Sequence, residues 1–227
     1  MNLIRYPIFI SLLVTSLYSQ INAKTNDGKD VILNDDGTWN YISKTIPIEN
    51  NVSNEADEYD FRQINWGFSK AKVSSIEKEK IFPGIDSPTI LAYDVTVGGL
   101  KALLGYYFIN DKLFKAVYIF SETHSNKNDF IFDYNTINDI LKSKYGAPKE
   151  DKTNWFNDLY KSDYQDYGMA VSLGHLSKYS VWDTPKTSVY NMLTGENFEI
   201  SHKLSYESKD LVDEVKNQKE TKNSSDF

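Results

Sequence analysis

The sequence contains no cysteine. This absence excludes disulfide bonds and thiolate metal sites. It also excludes the lipid anchor of bacterial lipoproteins, because that anchor is attached to a cysteine at the cleavage site. The stability of the folded chain must therefore come from a packed core, and the roughly 180 residues outside the N-terminal and linker segments suffice for one good core or two small ones.

The sequence also lacks a stripe of basic residues. The chain carries a formal net charge of −7, and residues of both signs are scattered along it. Nucleic acid is therefore not expected as a partner, since proteins that bind it present clustered Lys and Arg. Aromatic residues are abundant instead, and the 16 tyrosines, 12 phenylalanines and 4 tryptophans favour a folded protein with some aromatic side chains at its surface.

The apolar run near the N-terminus is short. It covers residues 6–18, follows Arg5 and precedes a polar stretch that ends at Ala23. A run of about 13 residues is too short to span a bilayer comfortably, but it suits the apolar region of a signal peptide. We therefore expect residues 1–23 to be a cleaved signal peptide, with a mature N-terminus near Lys24, no membrane span in the mature chain, and a periplasmic or secreted location. The alternative is that the segment is retained as a membrane anchor.

Residues 24–42 predict a small β-hairpin. Strand-like residues at 31–33 and 38–41 flank the turn-forming segment 34–37. The segment resembles a short hairpin motif that is common just after the leader of exported bacterial proteins, and no chemistry follows from that resemblance. Calcium binding at the turn is not expected, since the oxygen-rich spacing of a calcium loop is absent.

Polar segments mark the borders of the main body. Residues 43–60 are rich in Asn and Glu and have no apolar period, so they are predicted to be a linker. Residues 209–227 are charged and polar, so they are predicted to be a disordered tail. The main domain is accordingly expected over residues 61–208.

Two helices are predicted in this body. The first covers residues 69–80, with Ser69 as its N-cap. The second covers residues 134–145, with Asp133 as its N-cap and Gly146 as the glycine that ends it. Its apolar face is expected to bury Ile137, Ile140 and Leu141.

Each helix is followed by short strands separated by turn residues, so the body is predicted to contain two repeats, residues 61–122 and 132–208. The predicted strands are 91–97, 100–109, 113–122, 152–156, 169–173, 176–182, 188–193 and 198–206. Because helices and strands do not alternate strictly, a doubly wound parallel sheet is not expected. The prediction is an α+β fold in which two helix-plus-antiparallel-meander repeats form a largely antiparallel sheet with the helices on one face.

Three segments of the body resemble small bacterial envelope proteins. They are residues 66–73 (WGFSKAKV), residues 105–113, which contain GYYF and NDKL, and residues 144–148 (KYGAP). The families are the outer-membrane lipoprotein SmpA/OmlA family and the tandem-repeat β-lactamase inhibitor proteins. The resemblance implies a helix followed by an antiparallel meander, and it implies binding to other proteins, either in envelope assembly or by inhibition. The chain lacks the lipid-bearing cysteine of the first family, and no inhibitory residue can be carried over from the second.

No catalytic motif is complete in the sequence. Residues 69–72, 162–164 and 186–188 occur in the order of the three serine β-lactamase motifs. However, Tyr164 stands where the second motif needs Asn, and Ser188 stands where the third needs Gly. The serine of the first segment is explained by its predicted role as a helix cap. We therefore predict no catalytic residue.

The histidines His124, His175 and His202 have no His or Glu partner at the spacing of a zinc site. We therefore predict no metal site and no cofactor. Acidic residues are numerous, so the sequence leaves open a carboxylate pair of the kind that hydrolyses glycosides. The alternative function is accordingly an exported hydrolase with an unrecognised carboxylate or histidine site.

The predicted strand 100–109 is apolar on both sides, whereas a strand with one solvated face would alternate apolar and polar residues. One side must face the helices. We predict that the helix-free side, around Tyr93, Tyr107 and Tyr118, contacts a partner protein in the cell envelope, because tyrosine is enriched at interfaces. The alternative is that the N-terminal hairpin covers this side. The sequence thus predicts an exported, non-catalytic envelope protein that binds another protein.

Overall fold

The computed structural model describes residues 21–24, 30–33, 39–41, 59–85 and 87–215. The chain divides into two units, residues 1–48 and 49–227. The first unit contains a three-stranded antiparallel sheet made of β1 (Ile21–Lys24), β2 (Asp30–Leu33) and β3 (Trp39–Tyr41). The paired strands β2 and β3 are those of the predicted hairpin. Residues 1–20 of the predicted leader and residues 43–58 of the predicted linker lie outside the described residues.

The second unit is built on an eight-stranded sheet in which every neighbouring pair of strands is antiparallel. Its strands are β4 (Lys80–Ile81), β5 (Ile90–Val97), β6 (Leu100–Ile109), β7 (Lys112–Phe120), β8 (Glu150–Trp155), β9 (Leu176–Asp183), β10 (Thr187–Glu196) and β11 (Glu199–Ser208). Its helices are α1 (Lys70–Ile76), α2 (Asp129–Tyr145) and α3 (Tyr167–Ser172), and residues 209–215 are helical as well. The predicted α+β class with a largely antiparallel sheet is confirmed.

The order of the strands follows from the two repeats. Helix α1 precedes the meander β4 to β7, and helix α2 precedes β8 to β11, with α3 inserted after β8. Across the sheet the order is β4-β5-β6-β7-β11-β10-β9-β8, so the last strand of each repeat pairs with the last strand of the other. The two repeats therefore share one sheet, with β7 and β11 at its centre.

The two tight turns of the first repeat have a left-handed backbone. Gly98 and Gly99 have φ values of 59° and 81°, and Asn110 and Asp111 have φ values of 48° and 59°. This conformation matches the twist of the flanking strands, and Gly, Asn and Asp adopt it at low cost. Both turns fall where the sequence predicts them.

Helix α1 begins where the sequence predicts and ends earlier. The Ser69 hydroxyl accepts a hydrogen bond from the Lys72 amide at 3.2 Å, which confirms Ser69 as the N-cap. The helix stops at Ile76 rather than near residue 80, because Glu77 is already extended with φ −67° and ψ 129°. The turn at Glu77 brings its carboxylate to the Tyr106 hydroxyl.

Helix α2 begins at Asp129, five residues before the predicted start, so the prediction of Asp133 as its N-cap is wrong. The Asp133 carboxylate lies within the helix and binds His124 at 2.6 Å instead. Asn128 occupies the N-cap position. The predicted C-terminal end is confirmed, since Gly146 follows the helix with φ 78°.

Residues 169–172 belong to α3, so the predicted strand 169–173 is wrong. An apolar run of this length does not distinguish a buried strand from a buried helix. Ala170 and Val171 are fully buried in one cluster with Leu193 of β10. The chain can approach this position because residue 168 is glycine, and a side chain there would meet the backbone of Lys127.

Residues 209–215 are helical, so the predicted disordered tail is wrong for this segment. Contacts with the sheet explain the order. The Leu211 amide donates to the Ser208 hydroxyl at 3.3 Å, and Lys209 lies 3.4 Å from the Asp183 carboxylate. Residues 216–227 lie outside the described residues.

Helices α1, α2 and α3 pack on the same face of the sheet. Leu104 of β6 pairs with Tyr118 of β7, which pairs with Leu204 of β11, so these three side chains share a face. Val73 of α1 and Ile137 of α2 belong to the same buried cluster as that row. Helix α3 joins the same layer through β10 and β11. Within the described ranges, no helix is both long enough and apolar enough to cross a membrane.

The buried face of α2 differs from the prediction at one position. Ile137 and Leu141 are 1% and 2% exposed, as expected, but Ile140 is 44% exposed. Its side chain lies over the β5–β6 turn, within 2.8 Å of where a Cβ of residue 98 would be, rather than in the core. The prediction that Ile140 is buried is therefore wrong.

We expect Leu141→Ala to lower the free energy of unfolding by about 2–5 kcal/mol, because it leaves a cavity between α2 and the sheet. The matched control Ile140→Ala, one residue away on the exposed side, should cost much less. The measurement is urea denaturation followed by circular dichroism at an unchanged m-value. Equal losses for the two variants would contradict this packing.

Candidate functional site

The three predicted contact tyrosines do not share a face of the sheet. Tyr93 and Tyr118 both lie opposite Leu104, so they point towards the helices, and they are 3% and 5% exposed. Tyr107 lies opposite Ile90 and Lys115, and it points to the helix-free face. The prediction that all three lie on the helix-free face is therefore wrong for Tyr93 and Tyr118.

A β-bulge explains the position of Tyr118. Near the β6–β7 turn, Ile109 pairs with Lys112. If this register continued along the two strands, Tyr118 would pair with Leu103 and lie on the helix-free face. The register shifts by one between Tyr107 and Phe108, so Tyr118 pairs with Leu104 instead. A shift by one residue moves every following side chain to the other face.

The tyrosines under the helices form an aromatic cluster around Phe61. The Phe61 ring lies 5.8 Å from the rings of Tyr106 and Tyr118 and 4.7 Å from that of Tyr206. These residues come from β6, β7 and β11, so the Phe61 ring covers the line where the two repeats meet. The cluster is part of the core and does not form a surface.

A buried carboxylate closes one side of this cluster. The Tyr106 hydroxyl donates to Glu77 Oε2 at 2.6 Å, and Arg62 Nη2 lies 3.4 Å from Glu77 Oε1. Burial, and then the hydrogen bond to Glu77, raise the pKa of Tyr106 well above its usual range. Tyr106 therefore stays protonated at neutral pH, and it donates a hydrogen bond to the Glu77 carboxylate, which is also paired with Arg62.

A second group of polar side chains lies under α2 and reaches the surface at Asp151, which is exposed. Its hydrogen bonds form a continuous path: His202 Nε2 to Asn191 Oδ1 at 2.9 Å, Asn191 Nδ2 to Asn138 Oδ1 at 2.8 Å, Asn138 Nδ2 to Ser180 Oγ at 2.9 Å, and Ser180 Oγ to Asp151 Oδ1 at 2.9 Å. Because Asn191 Oδ1 is an acceptor, His202 donates from Nε2. Burial lowers the pKa of His202 to about 3, so the ring is neutral at physiological pH. We name these five residues the polar network.

Among the described histidines, His124 is the one that pairs with a carboxylate at hydrogen-bond distance. Its Nε2 lies 2.6 Å from Asp133 Oδ2, and its ring packs edge-on against Phe130 at 4.7 Å. Burial raises the pKa of Asp133, and the hydrogen bond to His124 opposes that effect. The pair fixes the loop before α2 onto the helix, and it joins residues nine positions apart that no motif connects. Among the described residues, no group of three His, Asp or Glu side chains could hold a metal ion.

Three clefts are lined by described residues, with volumes of about 380, 470 and 440 Å³. The first lies beside Arg62 and Glu77, the second beside the β9–β10 turn, and the third along β5 and β6. Neither His124 nor His202 lines any of the three. The histidine sites therefore do not coincide with these clefts.

The helix-free face carries rows of side chains that run across the strands. One row joins Leu103, Ile119, Lys203 and Met192 on four adjacent strands. The adjacent rows contain Tyr107, Val117, Lys115, Glu207 and Tyr190. Met192 is 43% exposed, and Tyr107 and Tyr190 are half-buried. The face thus presents apolar and aromatic side chains, with the ion pair of Lys115 and Glu207 at 2.6 Å among them.

Sequence analysis identifies only Tyr107 of this face. Tyr190 and Met192 follow from the alternation of β10 once its pairing with β11 is known, because side chains on a strand alternate between the two faces. Their placement depends on the pairing of β7 with β11, which joins distant parts of the chain. No local pattern gives that pairing.

We expect the protein to become less stable as the pH falls below 6.5. The unfolded chain binds a proton on His202 below its ordinary pKa near 6.5, whereas the folded chain does so only near pH 3. This group should therefore remove up to about 1.4 kcal/mol of stability per pH unit between these values. In His202→Gln, which retains a side-chain donor for Asn191, the loss should be smaller. Urea denaturation at pH 7, 6, 5 and 4 measures it, and parallel curves for the two proteins would contradict the burial of a neutral His202.

Comparisons of the chain with protein families, with curated proteins and with solved structures find no match. The resemblance to envelope proteins therefore stays a prediction from short segments. The function has to be argued from the surfaces of the molecule.

Proposed function

We propose that the protein is an exported, non-catalytic component of the bacterial envelope that binds another protein through the helix-free face of its eight-stranded sheet. The observation that carries the proposal is the set of apolar and aromatic side chains on that face, which includes Tyr107, Tyr190 and Met192. Helices α1, α2 and α3 do not pack on this face, and the helical residues 209–215 reach its border, where Lys209 pairs with Asp183 and Glu214 pairs with Lys112. The predicted signal peptide over residues 1–23 supports the location.

The composition of the face suits protein binding. Aromatic residues and Met are enriched in the cores of protein interfaces, whereas charged residues lie at their rims. Tyr107 lies flat over Gly105, since a Cβ at that position would lie 3.1 Å from its ring. A ring that packs against the sheet loses little freedom when a partner binds, which favours affinity.

The buried ionisable groups support a non-catalytic role. Tyr106 and Glu77 bind each other, and His202 is neutral and buried in the polar network. A general acid or base has to reach a substrate. These groups have instead the contacts of residues that stabilise a core.

An exported hydrolase is the second candidate. The pairing of His124 with Asp133 favours it, because a carboxylate that orients a histidine is part of many hydrolytic sites. The pair occupies the Nε2 atom of His124 and packs against Phe130. A hydrolase would need a nucleophile beside Nδ1, so we favour the binding function.

The combined variant Tyr107→Ser, Tyr190→Ser, Met192→Ser should stay folded and lose its partner. We expect recovery of the partner from the native envelope to fall at least about tenfold, since central aromatic contacts often contribute more than 1.4 kcal/mol each. The measurement is affinity purification with quantitative mass spectrometry, and circular dichroism checks the fold.

The matched control is Ile81→Ser, which removes a side chain that is 57% exposed at the edge strand β4. It should leave recovery unchanged. If the triple variant and the control recover the same proteins in the same amounts as the wild type, the helix-free face is not the binding site.

A further inference from the structure

The helical segment that follows β11 borders the helix-free face. It begins at residue 209, directly after the last residue of the strand. The Ser208 hydroxyl accepts from the Leu211 amide at 3.3 Å, which is the contact of a helix N-cap. The Lys209 amide donates to the Lys186 carbonyl at 3.0 Å and ties the start of the segment to the β9–β10 turn. We name residues 209–215 the strap.

The first ion pair of the strap is made with a side chain of the helix-free face. Lys209 lies 3.4 Å from Asp183, the last residue of β9. Asp183 pairs with Ser188 on β10 and accepts from its hydroxyl at 2.8 Å. Ser188 is two residues from Tyr190 on the same strand, so all of these side chains lie on one face of the sheet.

The second ion pair of the strap is made with the same face, on the other side of β11. Glu214 lies 3.4 Å from Lys112 and accepts from the Asn110 amide group at 3.0 Å. Lys112 pairs with Ile109, which is two residues after Tyr107 on β6, so both point to the helix-free face. Because β11 and β10 lie between β7 and β9, the strap crosses the ends of those two strands on this face.

The strap is held at the surface rather than in the core. Its apolar residues Leu211 and Val212 are half-buried, and neither buried cluster of the described residues contains any residue of the strap. Isolated helices shorter than about 12 residues are marginal in water, so these seven residues depend on their contacts with the sheet. The strap should therefore open at a lower free energy than the strands that it crosses.

The strap can leave the sheet without stranding a charge. Asp183 keeps Lys149, at 2.7 Å, and the Ser188 hydroxyl as partners when Lys209 departs. Lys112 and Asn110 are exposed at the β6–β7 turn, so water can replace Glu214. The penalty for opening is low, because the largest cost of breaking a polar contact is a buried group left unpaired.

We propose that the strap is a displaceable cover, which closes one end of the helix-free face in the free protein and is pushed aside when the partner protein binds that face. The proposal rests on the proposed function, since it assigns a regulatory element to the same face. The strap then lowers the apparent affinity for the partner by the fraction of molecules in which it is open. Salt raises that fraction, because it screens surface ion pairs.

Hydrogen exchange of the free protein, followed by mass spectrometry, tests the cover without any partner. The amides of the strap should exchange at least about tenfold faster than those of β7 and β11. Their exchange should be faster at an ionic strength of about 0.5 M than at about 0.01 M. Glu214→Ala should accelerate the exchange of the strap further, because it removes the contacts with Lys112 and Asn110.

The matched control is Asp139→Ala. It also removes one carboxylate, from an exposed position of α2 on the other side of the sheet. It should leave the exchange of the strap unchanged. Glu214 lies at the surface, with 32% of its side chain exposed, so both variants should keep the circular dichroism spectrum of the wild type.

Affinity purification from the native envelope, with the bait below saturation, tests the competition. The proteins that the variant Tyr107→Ser, Tyr190→Ser, Met192→Ser loses should be recovered at least about twofold more by Glu214→Ala than by the wild type. Asp139→Ala should recover them like the wild type. In the complex, the amides of the strap should exchange faster than in the free protein, while those of β6 and β10 exchange more slowly.

Three results would overturn the proposal and leave the proposed function standing. They are strap amides that exchange as slowly as those of β7 and β11, recovery by Glu214→Ala that equals the wild type, and a strap that becomes more protected in the complex. The third result would make the strap part of the contact surface. If the triple variant of the helix-free face keeps its partner, the proposed function and this proposal fail together.

Discussion

The structure depends on the pairing of β7 with β11 at the centre of the sheet. Each repeat alone would be a four-stranded sheet with an exposed inner edge, and such edges are prone to unwanted pairing. The pairing places Tyr118 beside Leu204 and Ala116 beside Tyr206, so the two repeats share one core. Phe61 then covers the join, with its ring 5.8 Å from Tyr118 and 4.7 Å from Tyr206. The segment before α1 thus serves both repeats, although it precedes the first.

The two repeats follow the same plan but fill their cores differently. The first is closed by aromatic and aliphatic side chains around Tyr106, whereas the second contains the polar network under α2. The hydrogen bonds of this network favour one arrangement of the core over others, and His202 Nδ1 is left buried without a hydrogen-bond partner among the described residues. Asn191 of β10 joins α2 to β11 through its hydrogen bonds with Asn138 and His202. Because His202 is buried in its neutral form, the second repeat should be the first part to unfold at low pH.

Local signals in the sequence were sufficient for the turns, the Ser69 cap, the end of α2 and the α+β class. They failed where contacts between residues far apart in the sequence determine the structure. The Gly98–Gly99 turn fixes Tyr93 opposite Leu104, so its position under the helices could have been deduced, whereas the bulge that turns Tyr118 inward has no local signature. Helix α3 depends on the close approach of Gly168 to Lys127, which no periodicity reveals. Of the three tyrosines predicted for the helix-free face, only Tyr107 lies there.

The central claim is that one face of the sheet is closed by the helices while the other is open to a partner. Nitration of tyrosines by tetranitromethane, mapped by mass spectrometry on the folded protein, tests both faces in one measurement. The account predicts that Tyr107 and Tyr190 react while Tyr93 and Tyr118 stay protected until the protein is unfolded by urea. Nitration of Tyr93 and Tyr118 in the folded protein as fast as Tyr107 would contradict it.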